Sequence, residues 1–268
     1  MKLNYAFLFL FFLGMNTSIW ATTFRVNNTP NTDADFDNLI DAHAIARDGD
    51  TLLIEGGADS YGDFTMTKRL TLIGPGYFLD ENSDNVISNP AKINSITLDP
   101  TSTNNPSTGA AGSKLIGLDF GFSSVFSTVR INVNDVVVQK CRTFRIGILN
   151  DTRNSVPAVG IQVIQNYILS GVVANSGATG PIVNVQIANN IFTSGLSLPD
   201  NSSGAILHNL VDDGRATLQG FVGEIRSNIF TNTGDFVLPV LPNQQISHNI
   251  AANGQLGNDN NNFTTVVD

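Results

Sequence analysis

Three groups of residues in this 268-residue chain have the types and spacing to carry a reaction. Asp212-Asp213, followed by Gly214-Arg215, offers two neighbouring carboxylates that could act as acid and base. Lys140, Arg142, Arg145, Asp151 and Arg153 form the densest basic group of the second half, able to take up a proton or hold an anion. His208 and His248 could ligate a metal, and Cys141 is the single thiol. Each group also has a plainer reading. Asp212-Asp213 fills the same place as Leu169-Ser170, Thr193-Ser194 and Thr231-Asn232 in a recurring phrase, and so reads as a turn filler. The two histidines each precede an Asn of that phrase two repeats apart, roughly 10 Å by strand spacing, too far to share a metal easily. Cys141 reads as a small buried thiol.

The phrase defines the elements that must position these groups. It runs Val163-Ile-Gln-Asn166, Ile187-Ala-Asn-Asn190, Ile206-Leu-His-Asn209, Ile225-Arg-Ser-Asn228 and Ile246-Ser-His-Asn249. An aliphatic residue stands three before each Asn, mostly apolar residues follow, and a Gly closes the unit. One repeat earlier, Val138-Gln-Lys-Cys141 puts the thiol in the Asn slot. A phrase recurring about every twenty residues marks a solenoid, whose repeats stack on their neighbours. The segments before the Asn are short and rich in β-formers, so they are strands. Asn tolerates left-handed backbone and can bond neighbouring backbone groups, which suits a bend between two strands. Stacked coils would align Asn166, Asn190, Asn209, Asn228 and Asn249 in a ladder with Cys141 at its end. Val138, Val163, Ile187, Ile206, Ile225 and Ile246 would form an inner column.

Composition bounds the partners. Net charge is −9, which argues against nucleic acid and anionic membranes, since both select clustered Lys and Arg. One Cys excludes an internal disulfide. Charged residues are 14%, well under the usual quarter, as expected for stacked strands joined by Asn, Gly, Ser and Thr turns. Met1-Lys2, the apolar run Ala6 to Gly14 and Ala21 describe a secretory signal peptide over residues 1–21, with a mature domain at 22–268 and a secreted destination. The run is too short to span a bilayer, so no transmembrane segment is expected after signal removal. The only Trp lies in that signal, and most Phe sit at inner-strand positions, so no aromatic groove is visible.

Thr23-Phe-Arg-Val26 is a first strand. Phe36, Leu39, Ile40, His43 and Ala46 then recur at helical spacing behind Asp33, Asp35 and Asp37, which predicts one short helix over 36–46. An open solenoid end exposes strand edges, so this helix reads as a cap, with His43 packed inside. Strands follow at Asp48–Ile54 and Arg69–Ile73, where Leu52 and Leu70 are the corresponding apolar positions. Residues 78–90 and 99–112 read as projecting loops. The chain stops at Val266-Val-Asp268 inside a strand, the expectation for an end that is truncated or covered.

Gly49-Asp50-Thr51 after a cap helix, then Tyr61-Gly62 and Lys68-Arg-Leu-Thr-Leu-Ile-Gly-Pro-Gly76, resembles the opening of secreted bacterial β-helix proteins of the pectate-lyase-like superfamily. The resemblance implies an all-β, right-handed parallel β-helix, here of about ten coils with a short N-terminal capping helix. It also implies two chemistries. Hydrolases of these families place paired aspartates across a sugar bond, the part Asp212 and Asp213 would play. Lyases pair a basic residue with Asp-bound calcium, which would engage Lys140, Arg142 or Arg145; calcium is implied under that reading alone and no other cofactor is expected. The Gly-His-Gly and Arg-Ile-Lys phrases of polygalacturonases and the Arg-x-Pro-x-x-Arg phrase of pectate lyases are absent from this sequence. The expectation is therefore a non-catalytic extracellular structural or interaction module in contact with envelope or environmental polysaccharide. A polysaccharide lyase or glycoside hydrolase with a divergent site is the alternative.

Overall fold

A computed structural model describes residues 21–79, 89–102, 105–120, 128–148, 157–174, 180–212, 216–218, 220–231, 245–252 and 263–265. The short β-rich segments stack as a parallel β-helix. One sheet holds ten strands, from Thr23–Val26 through Thr51–Ile54 and Thr71–Ile73 to Gln245–Ser247, each contributed by one coil. A second long sheet runs from Asp63–Met66 to Phe263–Thr265, and Ala158–Val159 pairs with Ile182–Val183 in a third. Every strand pairing is parallel among the described residues.

Register follows the phrase. Val138, Val163, Ile187, Ile206, Ile225 and Ile246 are paired coil to coil and buried. Fully burying each such side chain contributes roughly 1.5 to 3 kcal/mol, repeated once per coil. The column continues back through Leu115 and Leu72 to Leu52. Leu52 thus pairs with Leu72. Leu70, the apolar position matched to it in the sequence, is buried ahead of that strand, its N–H bonded to the Ser113 hydroxyl.

The bend between the two long sheets differs from expectation in one respect. The left-handed residue is the one before each ladder Asn: Lys140, Gln165, Asn189, His208, Ser227 and His248 have φ between 53° and 59°. These residues are exposed on the outer surface, except the partly covered Ser227. The Asn itself faces inward, and five ladder Asn are at most 2% exposed. An inward amide must satisfy two donors and an acceptor away from water. It does so by bonding across coils. The Asn190 Nδ2 donates to Asn209 Oδ1 at 2.9 Å and to Val163 O at 2.8 Å, while Asn209 Oδ1 also accepts the Asn190 backbone N–H at 3.0 Å. The same three bonds link Asn166 to Asn190, Asn209 to Asn228 and Asn228 to Asn249 on their own partners. At Cys141 the backbone N–H donates to Asn166 Oδ1, and Sγ faces Leu115 O at 3.6 Å and Gln139 O at 3.3 Å. One coil earlier the slot holds buried Leu118.

Helix α1 (Leu39–Ile45) starts three residues later than the spacing predicts. Phe36 is held out of it by a parallel bridge to Val26 and an edge contact with the Phe24 ring at 5.5 Å. Asn38 caps α1 by accepting the Asp41 N–H. Leu39 and Ala42 are buried in the same core as Leu52 and Ile54, and α1 touches Thr23–Val26 and Asp63–Met66, the first strands of the two long sheets. The helix therefore covers the N-terminal end of the solenoid. Lys68 Nζ closes its C-terminus, donating to the carbonyls of His43, Ala44 and Ala46.

Candidate functional site

The residue after each Asn slot faces outward on the second sheet. In register from the fourth coil these are Asp119, Arg142, Tyr167, Ile191, Leu210, Ile229 and Ile250. The row begins charged and becomes aliphatic. Arg142 forks onto Asp119, with Nε to Oδ1 at 2.9 Å and Nη2 to Oδ2 at 2.7 Å. The Asp119 side chain is 3% exposed and that of Arg142 21%. A buried carboxylate needs such a partner. Arg142 is committed to it.

Above Arg142 lies an aromatic group that the sequence reading missed. The Arg142 guanidinium stands 5.2 Å from the Phe78 ring centroid, Phe78 meets Tyr167 edge-on at 5.2 Å, and Tyr77 meets Phe78 at 5.0 Å. The sequence places Phe78 at the start of a projecting loop. The backbone just before it lies against the next coil. Gly74 and Gly76 bond the backbone of Ile116 and Gly117, and a Cβ on Gly74 would stand 2.5 Å from Gly117 O, so the strands approach this closely only through glycine. Phe78 itself has φ 56°, a conformation that costs a bulky residue on the order of 1 to 3 kcal/mol unless its surroundings impose it. Burial pushes the Tyr77 phenol up, with Cys141 adding to the shift. Asp119 and the outward row could have been found by aligning the position after each slot; nothing in the repeat marks Tyr77 or Phe78.

The other candidates are dispersed. Arg145 bonds Ser170 Oγ through Nε and Nη2 at 3.1 and 2.9 Å. A bulge between Thr143 and Arg145 sets it off from Arg142: Arg142 pairs with Tyr167, but Arg145 with Gly171. Lys140 is an exposed turn residue. Asp212 accepts a hydrogen bond from Thr231 Oγ1, its neighbour one coil on. Asp213, Asp151 and Arg153 lie outside the described residues. His208 and His248 occupy exposed turns two coils apart with Ser227 between them. Cys141 is fully buried, and desolvation, the leading cause, pushes its thiol up to about 12, far from a reactive thiolate. Among the described residues, no group of three or more His, Cys, Asp or Glu is placed to hold a metal, and no helix is long and apolar enough to cross a membrane.

His43 lies under the cap helix. Its Nε2 accepts the Thr67 N–H at 3.2 Å, and its ring meets Phe64 edge-on at 5.5 Å. Desolvation first, then the charge of Lys68, holds its pKa below the ordinary 6.5. It is a packed acceptor. No protein-family model matches this chain, and no match was found among curated proteins or solved structures.

Proposed function

We propose that this chain is a secreted, non-catalytic β-helix that serves as an extracellular structural or interaction module and contacts polysaccharide. The stacked parallel coils support the likeness to the pectate-lyase-like proteins, and the opening residues of the sequence support secretion. One observation carries the absence of catalysis. Each of three described ionisable candidates is held by a side chain of the adjoining coil: Arg142 by Asp119, Arg145 by Ser170, Asp212 by Thr231. Acid–base chemistry needs such groups to converge on one substrate atom. The group formed by Tyr77, Phe78 and Tyr167 supports sugar contact, because such rings offer an apolar face and, in Tyr, a polar tip.

The test is incubation of the purified mature protein with pectate, polygalacturonate, alginate and neutral glycans, with and without calcium. The expected result is retention of glycan with no unsaturated product and no new reducing ends. A calcium-dependent rise in unsaturated product that Arg145→Ala abolishes would establish the lyase reading instead. New reducing ends lost in Asp212→Asn would establish the hydrolase.

A further inference from the structure

Beyond Tyr167, the outward row becomes an aliphatic floor. Ile191, Ile229 and Ile250 are 44%, 42% and 38% exposed, with Leu210 in register between the first two. Adjacent side chains are one strand spacing apart, roughly 4.8 Å, so the row from Tyr167 to Ile250 is about 19 Å long. Isolated exposed isoleucines are ordinary, but these stand in register as one continuous apolar stripe. Polar rails flank it. On one side run the left-handed turn residues Gln165, Asn189, His208, Ser227 and His248 at the same spacing, all exposed but the partly covered Ser227; on the other stand Thr193, Asp212 and Thr231.

Resting on the reading that the module contacts polysaccharide, we infer that this face is a docking track for an uncharged, ribbon-like glycan lying along the solenoid axis. A flat pyranose ribbon with equatorial hydroxyls has apolar C–H faces and polar edges, which matches an apolar floor between hydrogen-bonding rails. It also advances one sugar in a step similar to one coil. Charge selects against uronates. The arginine in the row is paired with Asp119, exposed Lys140 stands one coil before the rail begins, Asp212 adds a carboxylate to the other rail, and the chain carries net −9. A polyanion would be repelled without clustered cations to hold it. Area selects against a second copy of the chain. Five partly covered side chains present on the order of a few hundred Å², well short of the roughly 800 Å² per partner that a stable interface buries.

The experiment is affinity electrophoresis of the mature protein in gels containing hydroxyethylcellulose, polygalacturonate or alginate, beside sedimentation of the protein alone. The variant replaces two exposed side chains by a polar β-former, Ile191→Thr with Ile229→Thr, and its unfolding curve checks that the coils persist. Expected are retardation by hydroxyethylcellulose that persists in 1 M salt, about tenfold weaker in the variant, with a monomer in sedimentation. Retardation by the uronates alone, or lost in salt, overturns the neutral track while leaving polysaccharide contact standing. Hydroxyethylcellulose retardation that the variant does not change also overturns the track. Absence of retardation by any of the three overturns both readings. Self-association that the variant abolishes assigns the stripe to a second copy and overturns the proposal.

Discussion

The coils before Cys141 and those after it close their bends by different means. In the later coils one amide is reused at every level, and each Asn satisfies the next. In the earlier coils each closure is singular. The buried Asp50 carboxylate takes the N–H groups of Thr22 and Arg47, the Tyr61 hydroxyl shares its one proton between Val26 O and Glu55 O, and Lys68 caps α1. The Asp119–Arg142 pair sits where the two regimes meet. A repeated contact spreads stability over neighbours, so each coil depends on the two beside it. A singular contact concentrates it, and its loss has no substitute nearby.

Four measurements break or sharpen this contrast. The largest effect is expected at the junction. Arg142→Met leaves the Asp119 carboxylate buried without its guanidinium, and breaking such a pair costs about 3 to 5 kcal/mol. Denaturant unfolding should show the loss, and adding Asp119→Leu should recover most of it. Equal stability of Arg142→Met and wild type would contradict a structural role for the pair.

Next comes the ladder. Asn209→Ala strips a buried acceptor from Asn190 and a donor from Ile187 O, for a loss of about 1 to 3 kcal/mol. Cys141→Ala, at the end of the ladder, removes weak sulfur contacts and should cost less. Thermal unfolding that ranks the two the other way would place the ladder's strength elsewhere.

The third prediction separates the regions by pH. Folded His43 is harder to protonate than unfolded His, because burial desolvates the charged ring and Lys68 repels it, and a protonated Nε2 could no longer accept the Thr67 N–H. The unfolded chain therefore binds more protons below 6.5. The stabilisation is complete above 6.5 and is lost as the pH falls through the lowered folded value. Amide protection, taken relative to the intrinsic exchange rate at each pH, should fall in α1 and at Thr67 on acidification while the Asn166 to Asn228 amides, bonded to uncharged partners, keep theirs. His43→Gln should remove the dependence. Uniform loosening of all coils would deny the contrast.

The smallest effect is expected at Asp212. An Asn there can still accept from Thr231, so Asp212→Asn should change stability by less than about 0.5 kcal/mol. A larger loss would show that the carboxylate's charge matters to the turn.

What the sequence determined by itself is the part built by repetition. The aliphatic at three before the Asn, the Asn and the apolar residues after it repeat their environment in every coil, so spacing alone gave the strands, the register after Val138 and the ladder slots, Cys141 included. The cap helix was legible from its apolar stripe, though its first turn was not, because Phe36 is claimed by Val26 and Phe24. Tertiary structure decided the rest. The left-handed residue proved to be the one before the Asn, since the amide must turn inward to reach its neighbours in other coils. Phe78, with Tyr77 packed against it, reaches Arg142 and Tyr167 across more than sixty positions of sequence through a glycine-lined backbone approach that no local pattern encodes. The candidate charges Asp212, Arg142 and Arg145 have the residue types for catalysis. Which partner each side chain meets depends on the coil stacked beside it, and that is set by the packing of the whole solenoid.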